Sequence, residues 1–274
     1  MKANNSYDIL SVKALVRFLH AADGFPFKST WLDAIRSGNY ATWPGLTYKN
    51  AKTNHLTSGE TLKGHMTQTR QGVCSTKRKA TPSNPTREVS LISSDIPATK
   101  SNKLFVVVKP VSKLYTDDVG LFTIRSRSGH CYIMVIFHCD SNSTLIEPFQ
   151  SRHDCHRIAA YSRIMTRLHE RGHMVDLQVL YNKASKEYCQ VITQTWKATF
   201  QLVLLNFHCR NAAERAIRNF KVHFLDILAG IDSLFPSSLW DTLLPQTKLT
   251  LNLLCQATLA PDMSACEYYN GPVD

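Results

Sequence analysis

Strand-type and helical segments alternate in a defined order between residues 104 and 255, and this order constrains the fold more than any other feature. A group of strand-type segments comes first, and helices and single strands then follow in turn. This order predicts an α/β domain with a mixed sheet flanked by helices. The predicted strands cover 104–108 with 113–116, 121–127, 131–138, 144–149, 176–181 and 200–205, and the predicted helices cover 154–171, 185–196, 211–230 and 238–255.

The first part of the chain has a different character. Helical periodicity covers residues 8–22, and Ser29 and Thr47 are suitable caps for two further short helices. Lys, Arg, Ser, Thr and Pro then dominate, which is typical of a linker. The predicted organisation is a small helical unit over 1–64, a basic linker over 65–103 and a core domain over 104–274.

Charge is unevenly distributed along the chain. The 274 residues carry a formal net charge of +11, and most of the excess of Lys and Arg lies in the first 103 residues. A basic segment beside a nearly neutral domain is typical of proteins that bind a polyanion such as nucleic acid. A solvated linker without a partner has the same composition, so both interpretations stay open.

Composition also argues against several classes of protein. No run of about 18 apolar residues occurs, so we expect no membrane contact through a spanning helix. The residues after Met1 are polar and predict no secretory signal, so we expect an intracellular protein, nuclear or cytoplasmic. The eight cysteines include no CxxC pair, so we expect reduced thiols and no zinc.

The segment from Cys209 to Gly230 predicts one long amphipathic helix. Its apolar residues recur at steps of three and four, and Glu214, Arg218 and Lys221 share another face. A carboxylate beside cations on a packed helix suits a metal-dependent enzyme that acts on a phosphate backbone. Asn211 and Glu214 also have the spacing of a capping box, which gives Glu214 a purely structural alternative.

Short motifs along the rest of the chain accompany this helix. They are 62–66 (LKGHM), 70–73 (RQGV), 75–77 (STK), 115–117 (YTD), 235–236 (FP), 239–241 (LWD), 244–247 (LPQT) and 252–254 (NLL). In this order and spacing, the motifs and the long helix resemble retrotransposon integrases of the Gag-Pol polyproteins of diatoms, oomycetes and some fungi. The resemblance covers nearly the whole chain, which looks like a fragment of such a polyprotein.

This resemblance implies a ribonuclease-H-like core that cuts and joins DNA by phosphoryl transfer. Enzymes of this type use two divalent ions, Mg²⁺ or Mn²⁺, held by two Asp and one Glu. Asp117 matches the first Asp, on the first strand of the core, and Glu214 matches the Glu of the catalytic helix. Both are therefore the expected catalytic residues and metal ligands.

Tyr181 stands where the family has the second Asp, because residues 180–183 read Leu-Tyr-Asn-Lys in place of Leu-Asp-Asn-Glu. A phenol with a pKa of about 10 is neutral at physiological pH and offers a metal ion one oxygen, where a carboxylate offers two. Asp118 and Asp176 are expected to point to the opposite face, and Asp140 sits at a hairpin. We therefore expect an integrase-derived core without catalytic activity.

DNA binding depends less on the missing acid. The resemblance and the charge pattern predict nonspecific contacts with the phosphate backbone of DNA. The resemblance also implies homo-oligomers, as in integrases. An alternative is a host-adopted, nonenzymatic module for DNA binding or interaction, and a third is an active nuclease with unusual ligands. The predicted DNA-binding residues are Arg210, Arg215, Arg218, Lys221, Lys77, Arg78 and Lys79.

Overall fold

A computed structural model of the chain describes residues 9, 11–55, 58–66, 112–180, 184–202 and 212–271. Met1–Met66 and Val111–Asp274 form one compact unit. The second unit, Thr67–Pro110, lies outside the described residues, as does the strand predicted over 104–108. The boundaries predicted after residues 64 and 103 stay predictions.

Five strands form one mixed sheet, in the order β3-β2-β1-β4-β5. The strand β2 (Tyr132–His138) lies between β1 (Lys113–Val119) and β3 (Ser143–Phe149) and runs antiparallel to both. The strands β4 (Leu177–Leu180) and β5 (Thr199–Leu202) extend the sheet in parallel from β1. The predicted α/β class, a mixed sheet flanked by helices, is confirmed.

The described part of the chain contains nine α-helices. The short α6 continues as a π-helical turn over Val191–Thr195, and a 3₁₀ segment, Ser237–Leu243, leads into α8. None of the helices in the described ranges has the length and apolar character needed to cross a bilayer. The helices are α1 (Val12–Ala22), α2 (Lys28–Arg36), α3 (Tyr48–Asn54), α4 (Gly59–Gly64), α5 (Asp154–Glu170), α6 (Lys186–Gln190), α7 (Ala212–Gly230), α8 (Leu244–Leu253) and α9 (Ala265–Asn270).

Alternating side chains divide the sheet residues between two cores. On β2, Met134 and Ile136 pack in a cluster with α5, whereas Ile133 and Val135 pack in a cluster with α7 and α8. The period of two in a strand explains this separation. Because β2 is covered on both faces, its sequence is a nearly continuous apolar run rather than an alternating one.

The strand predicted over residues 121–127 is wrong. Residues 120–131 form a loop instead, and β1 itself pairs with β2 up to Val119. Of the apolar residues that suggested a strand, Leu121 and Ile124 have exposed side chains, whereas Phe122 stacks on Trp240 with ring centroids 4.5 Å apart. The Trp240 indole N–H also donates to the backbone oxygen of Ile124 (2.9 Å), so a tertiary contact replaces strand pairing.

The N-terminal helices have their own small core around Trp31, which is completely buried. Thr47 caps α3 as predicted, because its hydroxyl oxygen accepts from the Asn50 backbone N–H (3.2 Å). Burial strongly raises the pKa of Asp23, whose carboxylate accepts from the Tyr40 hydroxyl (2.6 Å). This interaction ties the segment after α2 to the end of α1.

Helix α4 docks closely on α7. A methyl group on Gly64 would lie 1.9 Å from Oδ1 of Asp226 and 2.7 Å from the backbone oxygen of Val222. His65, the next residue, places its Nδ1 3.6 Å from Oδ2 of Asp226. The motif over residues 62–66 therefore brings the N-terminal helices onto the helix that carries Glu214.

We expect Gly64→Ala to lower the free energy of unfolding by about 1–3 kcal/mol, the usual cost of overpacking a close contact. The clash with a backbone oxygen of α7 cannot be relieved by rotating a side chain. Urea denaturation followed by circular dichroism measures the effect. Gly59→Ala in the same helix is the matched control, because no atom lies within 4 Å of its added methyl group. Equal stability of the two variants would contradict the close docking.

Burial raises the pKa of Asp226 to about 7. A raised pKa in the folded state makes the protonated form a source of stability, which is lost as pH rises from about 4 to 7. We expect Asp226→Asn to remove this loss. Near pH 8 the free energy of unfolding of this variant should exceed that of the wild type by a few kcal/mol, since one pKa unit corresponds to about 1.4 kcal/mol. Unfolding experiments across this pH range, with the exposed Asp262→Asn as control, test the expectation. Parallel pH profiles for wild type and Asp226→Asn would refute it.

Candidate functional site beside the first strand

Asp117 lies near the carboxyl end of β1, in the middle of the sheet. It is opposite Val135 of β2, and the preceding residue, Thr116, is opposite Leu180 of β4. The backbone N–H of Asp118 donates to Oδ1 of Asp117 (2.8 Å). Because Val119 belongs to the cluster with α7, the period of two places Asp117 on that same face of the sheet.

Glu214 lies in the first turn of α7. The helix is held across the sheet by Phe220 and Ile217, which pack in one cluster with Ile133 and Val135. Burying a large apolar side chain such as Phe220 stabilises this contact by about 2–3 kcal/mol. The first turn of α7 is thereby held on the face of the sheet that carries Asp117.

Asp117 lies within electrostatic range of Glu214 and Lys221 of α7. Burial is the main cause that raises the pKa of Asp117, and the negative charges of Asp118 and Glu214 raise it further. The positive charge of Lys221, two turns along α7 from Glu214, acts in the opposite direction. The structure therefore brings together a strand carboxylate, a helix carboxylate and a lysine from distant parts of the sequence.

The other acids considered from the sequence lie elsewhere. Asp118 lies on the α5 side of the sheet, where Arg157 of α5 binds its carboxylate through Nε (2.9 Å) and Nη2. Asp176 lies just before the first residue of β4, at the end of this strand that is far from Asp117, and its carboxylate accepts from the Ser112 backbone N–H (3.1 Å). Asp140 follows β2, with Oδ2 3.8 Å from His138 Nε2. Asp118 is thus paired away from Glu214, and Asp140 and Asp176 are at the far end of the strands.

The predicted DNA-binding residues divide into two groups. Arg215, Arg218 and Lys221 are exposed on α7. Lys221 and Arg218 follow Glu214 at helical spacing, so the basic side chains and the acid share one stripe. The remaining site predictions lie outside the described residues: Tyr181, Arg210, Lys77, Arg78 and Lys79.

Sequence reasoning missed a cavity of about 250 Å³ that extends from Asp117 to the α5 side of the sheet. Arg152, Arg157 and Tyr188 line it together with Asp118. Burial strongly raises the pKa of Tyr188, and its hydroxyl has no hydrogen-bond partner in the part of the chain that the structure describes. No local pattern marks these residues, because the cavity forms only where α5 and α6 meet the sheet.

No set of three or more His, Cys, Asp or Glu side chains within the described ranges is arranged to hold one metal ion. This statement includes His153, Cys155 and His156, which lie close together at the start of α5. Within the part of the chain that the structure describes, Asp117 and Glu214 are therefore a pair of hard oxygen donors rather than a complete three-acid set.

Comparison with known proteins adds little to this description. No protein-family model matches the sequence, and no curated protein matches it. A similar solved structure is the cryoEM structure of the simian T-cell lymphotropic virus intasome in complex with PP2A regulatory subunit B56 gamma. The TM-score is 0.44 at 13% sequence identity, and the match covers 61% of this chain and 58% of that chain.

We expect Glu214→Gln to lower the pKa of Asp117, because one of the negative charges that raise it is removed. Lys221→Gln should change the same pKa in the opposite direction. An NMR pH titration of the Asp117 side-chain carboxyl carbon measures both effects. Glu267→Gln, a substitution of an exposed residue on α9, is the matched control. An unchanged Asp117 titration in Glu214→Gln would show that the two carboxylates are not neighbours.

Proposed function

We propose that this chain is a ribonuclease-H-like, integrase-type core that binds the phosphate backbone of DNA and does not join DNA strands. One observation carries the proposal: Asp117 lies on the face of the sheet that α7 covers, and the negative charge of Glu214 in the first turn of α7 contributes to raising the pKa of Asp117. These are the two acids that the motif resemblance selects, and they are almost a hundred residues apart in the chain.

The arrangement of the strands supports the same proposal. An antiparallel β1-β2-β3 unit is extended on the other side of β1 by two parallel strands, each reached through a helix. The integrase resemblance implies a sheet of this kind, with the first acid on the central strand and the last acid on the long helix. The fold-level likeness does not by itself imply the activity, which depends on the site.

The acids at the site do not fit a two-ion mechanism. Two-ion phosphoryl transfer needs carboxylates that bridge and flank both ions. Asp117 and Glu214 would hold Mg²⁺ or Mn²⁺ at this place, whereas the carboxylate of Asp118 forms an ion pair with Arg157. The sequence has the neutral Tyr181 where the integrase family has its second Asp, the remaining acid of the three. We therefore derive no catalytic step for this chain.

Binding to DNA does not require the carboxylates that catalysis needs. Arg215, Arg218 and Lys221 are exposed along α7 and can donate to phosphate oxygens without a metal ion. Contacts of this kind carry no sequence information, so the proposed binding is nonspecific and weakens as salt concentration rises. Homo-oligomers, which the integrase resemblance also implies, are compatible with this proposal and are not needed for it.

We expect the wild type to bind a short labelled DNA duplex and to produce no joined strands with Mg²⁺ or Mn²⁺. Arg215→Gln/Arg218→Gln should weaken binding and reduce the slope of log affinity against log salt by roughly 1.8, about 0.9 per lost phosphate contact. Fluorescence anisotropy measures binding, and a gel assay with DNA ends measures joining. Lys13→Gln/Lys49→Gln, two exposed lysines on α1 and α3, is the control with the same change of charge.

Tyr181→Asp tests the explanation for inactivity, because it restores the third acid. We expect joined products to rise above the wild-type background, and Asp117→Asn in the same chain to abolish them. Robust joining by the wild type would disprove the inactivity. Equal slopes for the α7 variant and its control would disprove DNA binding through α7.

A further inference from the structure

Three arginines form a row along α5. Arg163 and Arg167 lie on α5 and Arg171 is its C-terminal cap, at the spacing i, i+4 and i+8, so the three follow one another along the helix. Each step along the axis is about 6 Å at a rise of 1.5 Å per residue. The adjoining side of α5 is buried in the core through Ile164 and Leu168. The arginine row therefore borders the core, with Arg163 and Arg171 exposed and Arg167 half-buried.

The guanidinium groups of this row are held in place. Glu147, on the edge strand β3, accepts from Arg163 Nε and from Arg167 Nη2, one carboxylate oxygen for each. Arg163 Nη2 also donates to the backbone oxygen of Pro148 (3.2 Å). A guanidinium has five N–H donors, so these bonds leave others for a ligand.

Arg171 continues the row with contacts of its own. Its Nη1 donates to the backbone oxygen of Arg167 (3.1 Å), and its guanidinium lies over the Tyr269 ring at 4.8 Å from the centroid. Side chains that are already ordered lose less conformational entropy on binding a partner. The row is therefore preorganised along its length.

A fourth cation joins the row from α8. Burial lowers the pKa of Lys248, and the positive charges of Arg167 and Arg171 lower it further, while the negative charge of Glu147 raises it. The carboxylates near this group include Glu147, which already pairs with two arginines, and Glu170 beside Tyr269. Glu267 of α9 lies near the same group, because it acts on Cys266 together with Lys248. The positive charges repel one another here, and a bound anion would relieve the repulsion.

We propose that Arg163, Arg167, Arg171 and Lys248, named here the β3-edge basic surface, bind the phosphate backbone of a nucleic acid. The cations form an extended row rather than a closed cup, which fits a linear polyanion better than a single small anion. Arginine at such spacing suits phosphate because its planar fork of donors matches phosphate oxygens. The net charge of +11 favours the same kind of partner.

This surface is distinct from the proposed site beside β1. It lies along β3, the edge strand of the sheet, and is built by α5 and α8, whereas Asp117 is on the central strand and Glu214 is on α7. The β3-edge basic surface can therefore bind nucleic acid whether or not α7 does.

Arg171→Gln/Lys248→Gln is the test variant, because it removes two cations and leaves both arginine bonds of Glu147 in place. We expect its affinity for a labelled DNA duplex to fall about tenfold at low salt and its salt slope to fall by roughly 1.8. Fluorescence anisotropy measures both, and circular dichroism with thermal unfolding confirms that the variant is folded. Lys13→Gln/Lys49→Gln is the control for the loss of two charges.

A test variant that binds DNA like the control would overturn the inference, even if Arg215→Gln/Arg218→Gln on α7 is impaired. Conversely, a weakened test variant beside an unaffected α7 variant would support the β3-edge basic surface and reject the binding role of α7. If the test variant loses binding to labelled poly-glutamate but keeps its affinity for DNA, the surface serves an acidic protein and the inference fails. A triple variant, Glu147→Gln/Arg163→Gln/Arg167→Gln, which leaves no carboxylate unpaired, should reproduce the loss.

Discussion

The packing of α7 across the sheet is the interaction on which the rest of the structure depends. Phe220 and Ile217 hold the helix against Ile133 and Val135, and this contact sets the position of both helix ends. The first turn brings Glu214 into the electrostatic field of Asp117. The later turns present Asp226 to α4, so the same helix also anchors the N-terminal helices. One apolar contact thereby connects the candidate site to the docking of the whole N-terminal region.

Charge at the centre of the sheet is organised by the two faces of β1. Adjacent aspartates on a strand point to opposite faces, so Asp117 meets Glu214 and Lys221 while Asp118 meets Arg157. The first arrangement places two acids close together beside Lys221. The second is an ion pair between Asp118 and Arg157. This contrast supports Asp117, rather than Asp118, as the residue of the proposed site.

Much of the fold could be predicted because the signals are local. The order of strands and helices from β2 to α8, the Thr47 cap and the amphipathic face of α7 all depend on residues within a few positions of one another. Prediction failed over residues 121–127, where Phe122 stacks on Trp240, more than a hundred residues later, and Leu121 and Ile124 are exposed. It also missed Arg157 and Tyr188, whose position beside Asp117 arises where two helices meet the sheet.

The sequence by itself determined the chemistry available to this protein: an acid at 117, an acid at 214, a neutral phenol at 181 and an excess of positive charge. It also determined most of the segments that become helices and strands, because backbone propensity and hydrophobic period act over short distances. Tertiary structure decided which of these groups meet. Asp117 and Glu214 share a face, Glu147 orders two arginines of α5, and Gly64 admits α4 onto α7 because long-range packing brings those elements together. No short stretch of sequence contains both partners of any of these contacts.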